Sequence, residues 1–457
     1  MSDEREDTAI VWFRRDLRVH DQPIFLEAAA RAKRSLAVFV LDPRLLEPSG
    51  KARRTFLFRS LRDLDESLGG RLLVVKGDPA EAIPKLARAV GAGSVHVAAD
   101  FGPYGRERDE AVEKALDGVE LVRTGSPYAV APGRITKSDG EPYKVYTPFS
   151  RAWTQHGWRE PADTDASTVD WMDPGEKDGG PRKVKIPDDE APEAELPAAG
   201  EQAARDQWAA FVDEHLTDYD DLRNRPDRPA TSRMSVYLKY GVVHPRTLLA
   251  DLGGEGKGPT SFRNEICFRD FYASVLWFFP RSARENFDTK FDRITLDSGE
   301  SADEKFQAWQ EGRTGFPAID AAMRQLRGEA WMHNRMRMAV ASFLVKDLHL
   351  PWWRGARHFM ELLVDGDLPS NQHGWQWAAG TGTDAAPYFR VFNPVTQGER
   401  FDPQGDYVRR WVPELADVEG KKVHQPWKLN EPPADYPAPI VDHKAERQEA
   451  LERFNAL

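Results

Sequence analysis

The sequence predicts an α/β unit built on a doubly wound parallel sheet, then a linker, then an all-α unit. Three observations carry this expectation. In the first third, short continuous apolar runs alternate with helix-period segments, the pattern of strands buried on both faces with helices crossing over them. Residues 160–200 are rich in Pro, Asp, Glu, Gly and Ala and show little periodicity, as a linker does. After residue 200 helix-period segments follow one another with no further strand pattern.

The expected strands are 9–13, 36–41, 72–75, 94–97 and 120–122, with helices at about 24–33, 53–68, 79–90 and 105–117 between them. The first strand is followed by Arg14-Arg15-Asp16-Leu17-Arg18 and not by a G-x-G-x-x-G turn, so the dinucleotide fingerprint is absent from this Rossmann-like arrangement. The glycine-rich stretch 253–258 looks like a phosphate loop, but Gly258 stands where Ser or Thr is required and no strand precedes it; it reads as a flexible loop. Helices are expected at 201–215, 231–240, 261–278, 317–327, 331–346 and 353–364. At about 150 residues per domain the length suits two or three domains, and we place them at 1–130, 131–200 (the linker) and 201–457.

No stretch approaches ~18 consecutive apolar residues, the acidic N-terminus lacks a signal-peptide core, and a single cysteine, Cys267, fits a reducing cytoplasm better than a disulfide framework. The net charge of −11 argues mildly against a nucleic-acid partner for the protein as a whole. Yet residues 313–357 carry Arg313, Arg324, Arg327, Arg335, Arg337, Lys346, Arg354 and Arg357 with few acids among them, so a basic face on an acidic protein and an ordinary solvated helix surface both remain open. Ten of the 14 tryptophans lie after residue 200, which fits either an aromatic-lined pocket or core packing.

Residues 365–389 hold the densest chemistry: Asp365 and Asp367, the amide of Asn371, Trp375 and Trp377, and a Gly/Thr-rich turn. That mixture suits a large aromatic cofactor with polar edges better than a core. The two aspartates alone would also fit a metal or an acid/base pair, and we expect Asp365 to pair with Arg337. Thr231, Ser232, Arg233 and Ser235 stand at a helix start, where small hydroxyls leave N–H groups for an anion and Arg233 adds charge; a plain N-cap is the competing reading. On the helix at 331–346, Asn334, Arg337 and Met338 share a face by i, i+3, i+4 spacing, an unusual set for a core, while Arg335 points elsewhere. His333 has no second ligand at useful spacing and reads as structural. On 261–278 a stripe of Phe262, Glu265, Phe268, Arg269 and Tyr272 places a carboxylate among rings, where desolvation raises its pKa unless it pairs, for example with Arg269.

These segments, with Val11-Trp12-Phe13-Arg14-Arg15-Asp16-Leu17-Arg18, Tyr143-Lys144-Val145-Tyr146-Thr147-Pro148-Phe149, Gly312-Arg313-Thr314-Gly315-Phe316-Pro317 and Asn393-Pro394-Val395-Thr396-Gln397-Gly398, resemble in order and over nearly the whole chain the motifs of the DNA photolyase/cryptochrome family. Class I cyclobutane pyrimidine dimer photolyases are the nearest kind. The resemblance implies an antenna domain on the sheet and a helical FAD-binding catalytic domain. It implies light-driven repair of UV-damaged DNA, in which excited FADH⁻ passes an electron to a flipped-out dimer, by a cytoplasmic monomer with no membrane partner. Tyr219, Thr231, Ser232, Arg233, Ser235, Arg337, Asp365, Asp367 and Asn371 would hold the FAD, with Asn371 near flavin N5. Glu265, Asn334, Met338 and Trp377 would line the lesion pocket, and Phe268, Arg269, Arg335 and Arg390 would contact DNA. Trp375 and Trp352 would carry electrons to the flavin. A cryptochrome-type blue-light signalling protein and a (6-4) photoproduct enzyme are the other readings; Asn371 and Met338 favour dimer repair.

The chain departs from the family pattern in three places. Phe268 and Phe262 stand where many relatives have Trp. The outer electron-transfer tryptophan would fall near Leu296, where there is none, leaving Trp353 or Trp309 as exits. The segment 100–109 lacks the Asn-Glu pair of folate-binding relatives, so the antenna is expected to be 8-hydroxydeazaflavin, with methenyltetrahydrofolate the other choice.

Overall fold

The computed structural model describes residues 5–176, 179–254, 256–383 and 389–457. The first four residues of the acidic N-terminus, two linker residues, Glu255 of the glycine stretch and 384–388 of the 365–389 run lie outside the described residues.

Five parallel strands, β1 (Glu6–Phe13), β2 (Ala32–Leu41), β3 (Leu72–Lys76), β4 (Ser94–Val97) and β5 (Glu120–Arg123), pair in the order β3-β2-β1-β4-β5. Helices α1 (Pro23–Arg31), α2 (Lys51–Ser67), α3 (Pro79–Val90) and α4 (Pro103–Ala115) make the crossovers. Alternate β1 residues serve opposite faces. Ile10 and Trp12 pack with Ile83, Leu86 and Val112, while Val11 and Phe13 pack with Phe25 and Phe39 in a core that continues into the helical half through Phe211, Phe262 and Phe271. A separate core, with Trp309, Met332, Phe343, Trp352 and Trp375, lies deeper among the later helices. No helix among the described residues is long and apolar enough to cross a membrane.

The helical half uses α5 (Tyr146–His156), α6 (Glu201–Glu214), α7 (Met234–Tyr240), α8 (Lys257–Phe278), α9 (Pro317–Glu329), α10 (Asn334–Lys346), α11 (Trp352–Leu362), α12 (Leu368–Ala379) and α13 (His443–Asn455). Two of these start later than expected: His333 caps α10, its Nδ1 accepting from the Arg335 amide at 3.2 Å, and Arg233, at φ 56°, breaks the helical path before α7. Conversely, α8 starts four residues early. Its Gly258 is helical, and a Cβ there would collide with the Leu216 carbonyl, so the glycine serves a close approach and 256–258 is not a flexible loop.

The stretch after β1 joins the sheet to the helices. The Leu17 amide donates to Tyr240 O at 3.2 Å, Arg18 to Gly241 O at 3.1 Å, and the Val19 and His20 amides to the Glu201 carboxylate at 2.8 and 3.2 Å. Arg246 pairs with Asp21 at 2.7 Å. Gly241 adopts φ 67°, and a side chain there would run into the Arg15 carbonyl. The residues that replace a nucleotide loop thus form an interlayer latch, at the carboxyl end of the strand where the sheet order reverses.

Candidate functional site

Arg337, one turn into α10, donates from Nη2 to Asp365 Oδ2 at 2.8 Å, the expected pairing, and from Nε to the Met332 carbonyl at 2.8 Å. The other Asp365 oxygen is buried with no hydrogen-bond partner in the protein. A buried orphan acceptor beside a fixed guanidinium is the signature of a missing donor. Two residues on, Asp367 receives Arg15 Nη2 at 2.6 Å, with Lys239 Nζ at 4.0 Å. Burial opposes ionisation of Asp367, but Arg15, Lys239 and Arg269 together hold its carboxyl below the ordinary range. Burial also lowers the Lys239 ammonium to about 7, with Arg15 beside it acting the same way. Arg15 and Lys239 escaped the sequence reading because their partner is distant in sequence; the Arg14-Arg15 pair after β1 was the available signal.

Tyr219 is buried against Phe211 and Phe262. Ser232 Oγ accepts from the Met234 amide at 3.3 Å, Thr231 is half-buried and Ser235 is exposed. Arg233 pairs with Glu329 at 2.9 Å, a carboxylate it shares with Arg410, and lies 4.4 Å over the Trp331 ring.

On α8, Glu265 is half-buried and accepts from Arg223 Nη2, not from Arg269. Burial pushes its carboxyl above the ordinary range against the pull of Arg223. The Phe268 ring stacks face to face on Tyr146 of α5, with centroids 3.5 Å apart and planes 5° from parallel. One face of Phe268 is therefore covered, and a two-ring wall stands where a single free ring was expected. Arg269 donates to the Pro127 and Leu238 carbonyls at 2.7 and 3.2 Å and lies 4.7 Å over Tyr128. The bond to Pro127 ties the two layers together. Arg335 is held by Asn224 Oδ1 at 2.6 Å and lies 4.4 Å over Phe401. After burial, Arg400, Arg223 and Arg390 are what lower its pKa, so these four guanidiniums share one neighbourhood, and Arg223 is the one that holds Glu265. Asn334 and Arg390 are exposed and Met338 is half-buried.

On α12, Asn371 donates both amide hydrogens, to the Ala356 carbonyl at 3.1 Å and Gln372 Oε1 at 2.9 Å, which leaves its carbonyl oxygen as the group it can offer a ligand. Trp375 is buried, 5.0 Å from Phe359 and 6.1 Å from Trp309. A Cβ on Gly355 of α11 would strike the Trp375 ring. Trp352 begins that helix, donates to Asn286 Oδ1 at 2.9 Å and lies 6.1 Å from Trp353, which is 40% exposed. Trp377 is half-buried against the same core.

A cavity of about 2430 Å³ runs between the carboxyl ends of the strands and the helices. Trp12, Arg14, Arg15, Asp100, Tyr104 and Lys239 are among its walls, and it reaches Gly366, Leu368 and Gln372 at the start of α12. It adjoins the Asp365–Asp367 turn but is not lined by Tyr219, Thr231 or Asn371. Burial would raise Asp100, but Arg108, Arg15 and Arg14 bring it down to about 2.

Residues 9–167 match the model of the DNA photolyase family, and residues 262–456 match that of the FAD binding domain of DNA photolyase. A deoxyribodipyrimidine photo-lyase of Streptomyces griseus is 39% identical over 98% of this chain and 99% of its own length. This chain belongs to the DNA photolyase family. The photolyase assignment extends to three dimensions: a class III photolyase from Agrobacterium tumefaciens superposes with a TM-score of 0.91 at 34% identity, over 100% of this chain and 98% of that one. An archaeal photolyase from Sulfolobus tokodaii, solved with two FAD molecules and described as implying a novel light-harvesting cofactor, superposes with a TM-score of 0.86 at 28% identity, over 98% of this chain and 100% of that one. The sheet-plus-helices architecture expected from the sequence is therefore a photolyase architecture.

Proposed function

We propose that this photolyase-family chain repairs cyclobutane pyrimidine dimers in DNA by light-driven electron transfer in the cytoplasm. The observation that carries the DNA half of this reading is a cluster of cations, Arg335 and Arg400 at 4.4 and 5.1 Å from the Phe401 ring with Arg223 and Arg390 close by, on a protein of net charge −11. Local cations, not the total, set attraction for a phosphate backbone. Full-length similarity to deoxyribodipyrimidine photo-lyases supports the choice of substrate.

The residues present fit FAD. Asp365 holds an unpartnered buried oxygen that a ligand N–H or hydroxyl would satisfy, and Arg337 fixes it in place. Tyr219, Thr231, Ser232, Ser235, Asp367 and Asn371 complete the proposed cradle. When bound, reduced FAD supplies an electron to the lesion on illumination. The carbonyl of Asn371 offers an acceptor that does not titrate. A dimer is poorly paired and stacked, so its extrusion costs less than that of a normal base. Trp377 and Met338, with Asn334, would receive the extruded dimer. The Tyr146–Phe268 wall supplies aromatic area in place of one indole. Glu265, its pKa raised by burial, would donate a hydrogen bond to a pyrimidine carbonyl on which charge develops. Of the basic residues, Arg335 and Arg390 would hold phosphates beside the lesion.

For the second chromophore we propose 8-hydroxydeazaflavin in the cleft around Arg14, Arg15, Asp100 and Lys239, where Arg14, Arg15, Arg108 and Lys239 line the wall with Asp42 and Asp100 and offer cations to an ionisable hydroxyl. Absorption of the native pigment distinguishes it from methenyltetrahydrofolate or a second flavin. The function itself is tested with purified, reduced protein and an oligonucleotide carrying a thymine dimer. Intact thymines should be restored under blue light and not in the dark; an unchanged dimer after illumination of the flavin-loaded protein would defeat the proposal.

A further inference from the structure

The segment from Phe389 to Phe392 carries Arg390 to the surface, and three of its residues are pinned by α10 and α12. The Phe389 ring packs against Gly380 at the end of α12, where a Cβ would meet a ring carbon at 3.4 Å. Lys346 Nζ lies 4.4 Å over the same ring and donates to the Arg390 carbonyl at 2.6 Å. The Phe392 amide donates to Ser342 Oγ at 3.3 Å. A further support comes from elsewhere: Phe454 of α13 stacks on Phe389, centroids 4.5 Å apart and planes 14° from parallel.

α13 is itself firmly seated. His349 bonds Glu446 at 2.7 Å, His443 bonds Asp347 at 2.5 Å, and Arg453 reaches Asp297 at 2.9 Å and the Thr295 carbonyl at 3.0 Å. Phe454 also lies 6.0 Å from Phe291, under Lys290. An element fixed by three polar anchors, with one ring placed against Phe389, holds the residue next to Arg390 without touching a ligand itself.

We propose that Phe454 is a positioning residue: through Phe389 it sets the place of Arg390, so α13 tunes affinity for damaged DNA and not the chemistry. This inference rests on the reading of Arg390 as a phosphate contact. Such a residue moves binding without moving turnover, because the group it places acts in the ground state and the transition state alike.

The test is a mutant cycle on the full-length, flavin-loaded protein with a dimer-containing duplex. Phe454→Ala should weaken binding about tenfold, a difference of about 1.4 kcal/mol, and lower the slope of log affinity against log salt by about 0.9, one phosphate contact. Flavin content and repair yield at saturating DNA should be unchanged. Arg390→Ala should weaken binding at least as much and lower the salt slope by the same amount, and the double variant should bind no more weakly than Arg390→Ala alone. If Arg390→Ala binds like the parent, the phosphate reading of Arg390 fails. If Arg390→Ala is weakened while Phe454→Ala is silent, or if the two losses add, the positioning role is overturned. Should Phe454→Ala not fold, Phe454→Leu keeps the burial, removes the stack and is read by the same criteria.

Discussion

Arg337 and Asp365 stand 2.8 Å apart, the guanidinium a quarter exposed and the carboxylate sealed, with one carboxylate oxygen left for a ligand. Removing the cation strands a buried charge, which costs about 3 kcal/mol at the exposed end of the usual range. We expect Arg337→Met to purify with little flavin and a lowered Tm, while Asp365→Asn keeps more stability but also loses flavin. The measurement is the flavin-to-protein ratio with a thermal melt. Full flavin content in Arg337→Met would remove the pair from the cofactor site.

Glu265 sits between two tendencies, burial raising its pKa and Arg223 lowering it. If it donates to the lesion, Glu265→Ala lowers repair yield per bound dimer more than it lowers DNA affinity, and Glu265→Gln, which keeps a donor, recovers part of the yield. Equal losses in yield and affinity would show that Glu265 only binds.

For photoreduction of oxidised flavin, the buried indoles need a neighbour that meets solvent. Trp309 and Trp353 are each 6.1 Å from one of them, Trp375 and Trp352 respectively, but Trp309 is 0% exposed and Trp353 is 40% exposed. We therefore expect Trp353→Phe to slow photoreduction in the presence of a thiol, Trp309→Phe to leave it near the parent rate, and Trp375→Phe to abolish it while sparing repair by pre-reduced protein. A Trp353→Phe protein that photoreduces normally would move the exit elsewhere.

His373 is buried under Tyr272, and burial lowers its pKa to about 4 from an ordinary 6.5. The unfolded chain takes up the proton first, so stability is intact above pH 6.5 and falls as pH drops from 6.5 toward 4. The shift amounts to about 3 kcal/mol at 1.36 kcal/mol per unit. Asp347 and Asp402, raised by burial to about 6, work in the opposite direction, so the comparison must be between variants. His373→Gln should flatten the acid limb of urea-unfolding free energy against pH; an unaltered slope would mean the ring titrates freely.

The five strands were legible because parallel strands buried on both faces leave uninterrupted apolar runs; what was missed is polar, the starts of β1 at Glu6–Thr8 and of β2 at Lys33 and Arg34 and the last residues of β3 and β5, Lys76 and Arg123. The Arg337–Asp365 pair was expected and found. What was not legible was set by partners far along the chain. A Glu265–Arg269 pair was one reading of the helical spacing, yet Arg223 reaches Glu265 from another segment, and Arg269 turns to the carbonyls of Pro127 and Leu238. The Glu329 that pairs with Arg233 is likewise distant in sequence. The ring stacked on Phe268 comes from Tyr146, which the sequence marked only as part of a motif.

The Arg15–Asp367 bond and the glycine at 241 have a practical corollary for recombination. Grafting the sheet half of another relative onto these helices would produce a chimaera whose flavin floor depends on a side chain supplied by the donor. A graft lacking arginine at 15 should lose pigment even with every helical residue intact, whereas reciprocal grafts that preserve that arginine should stay coloured.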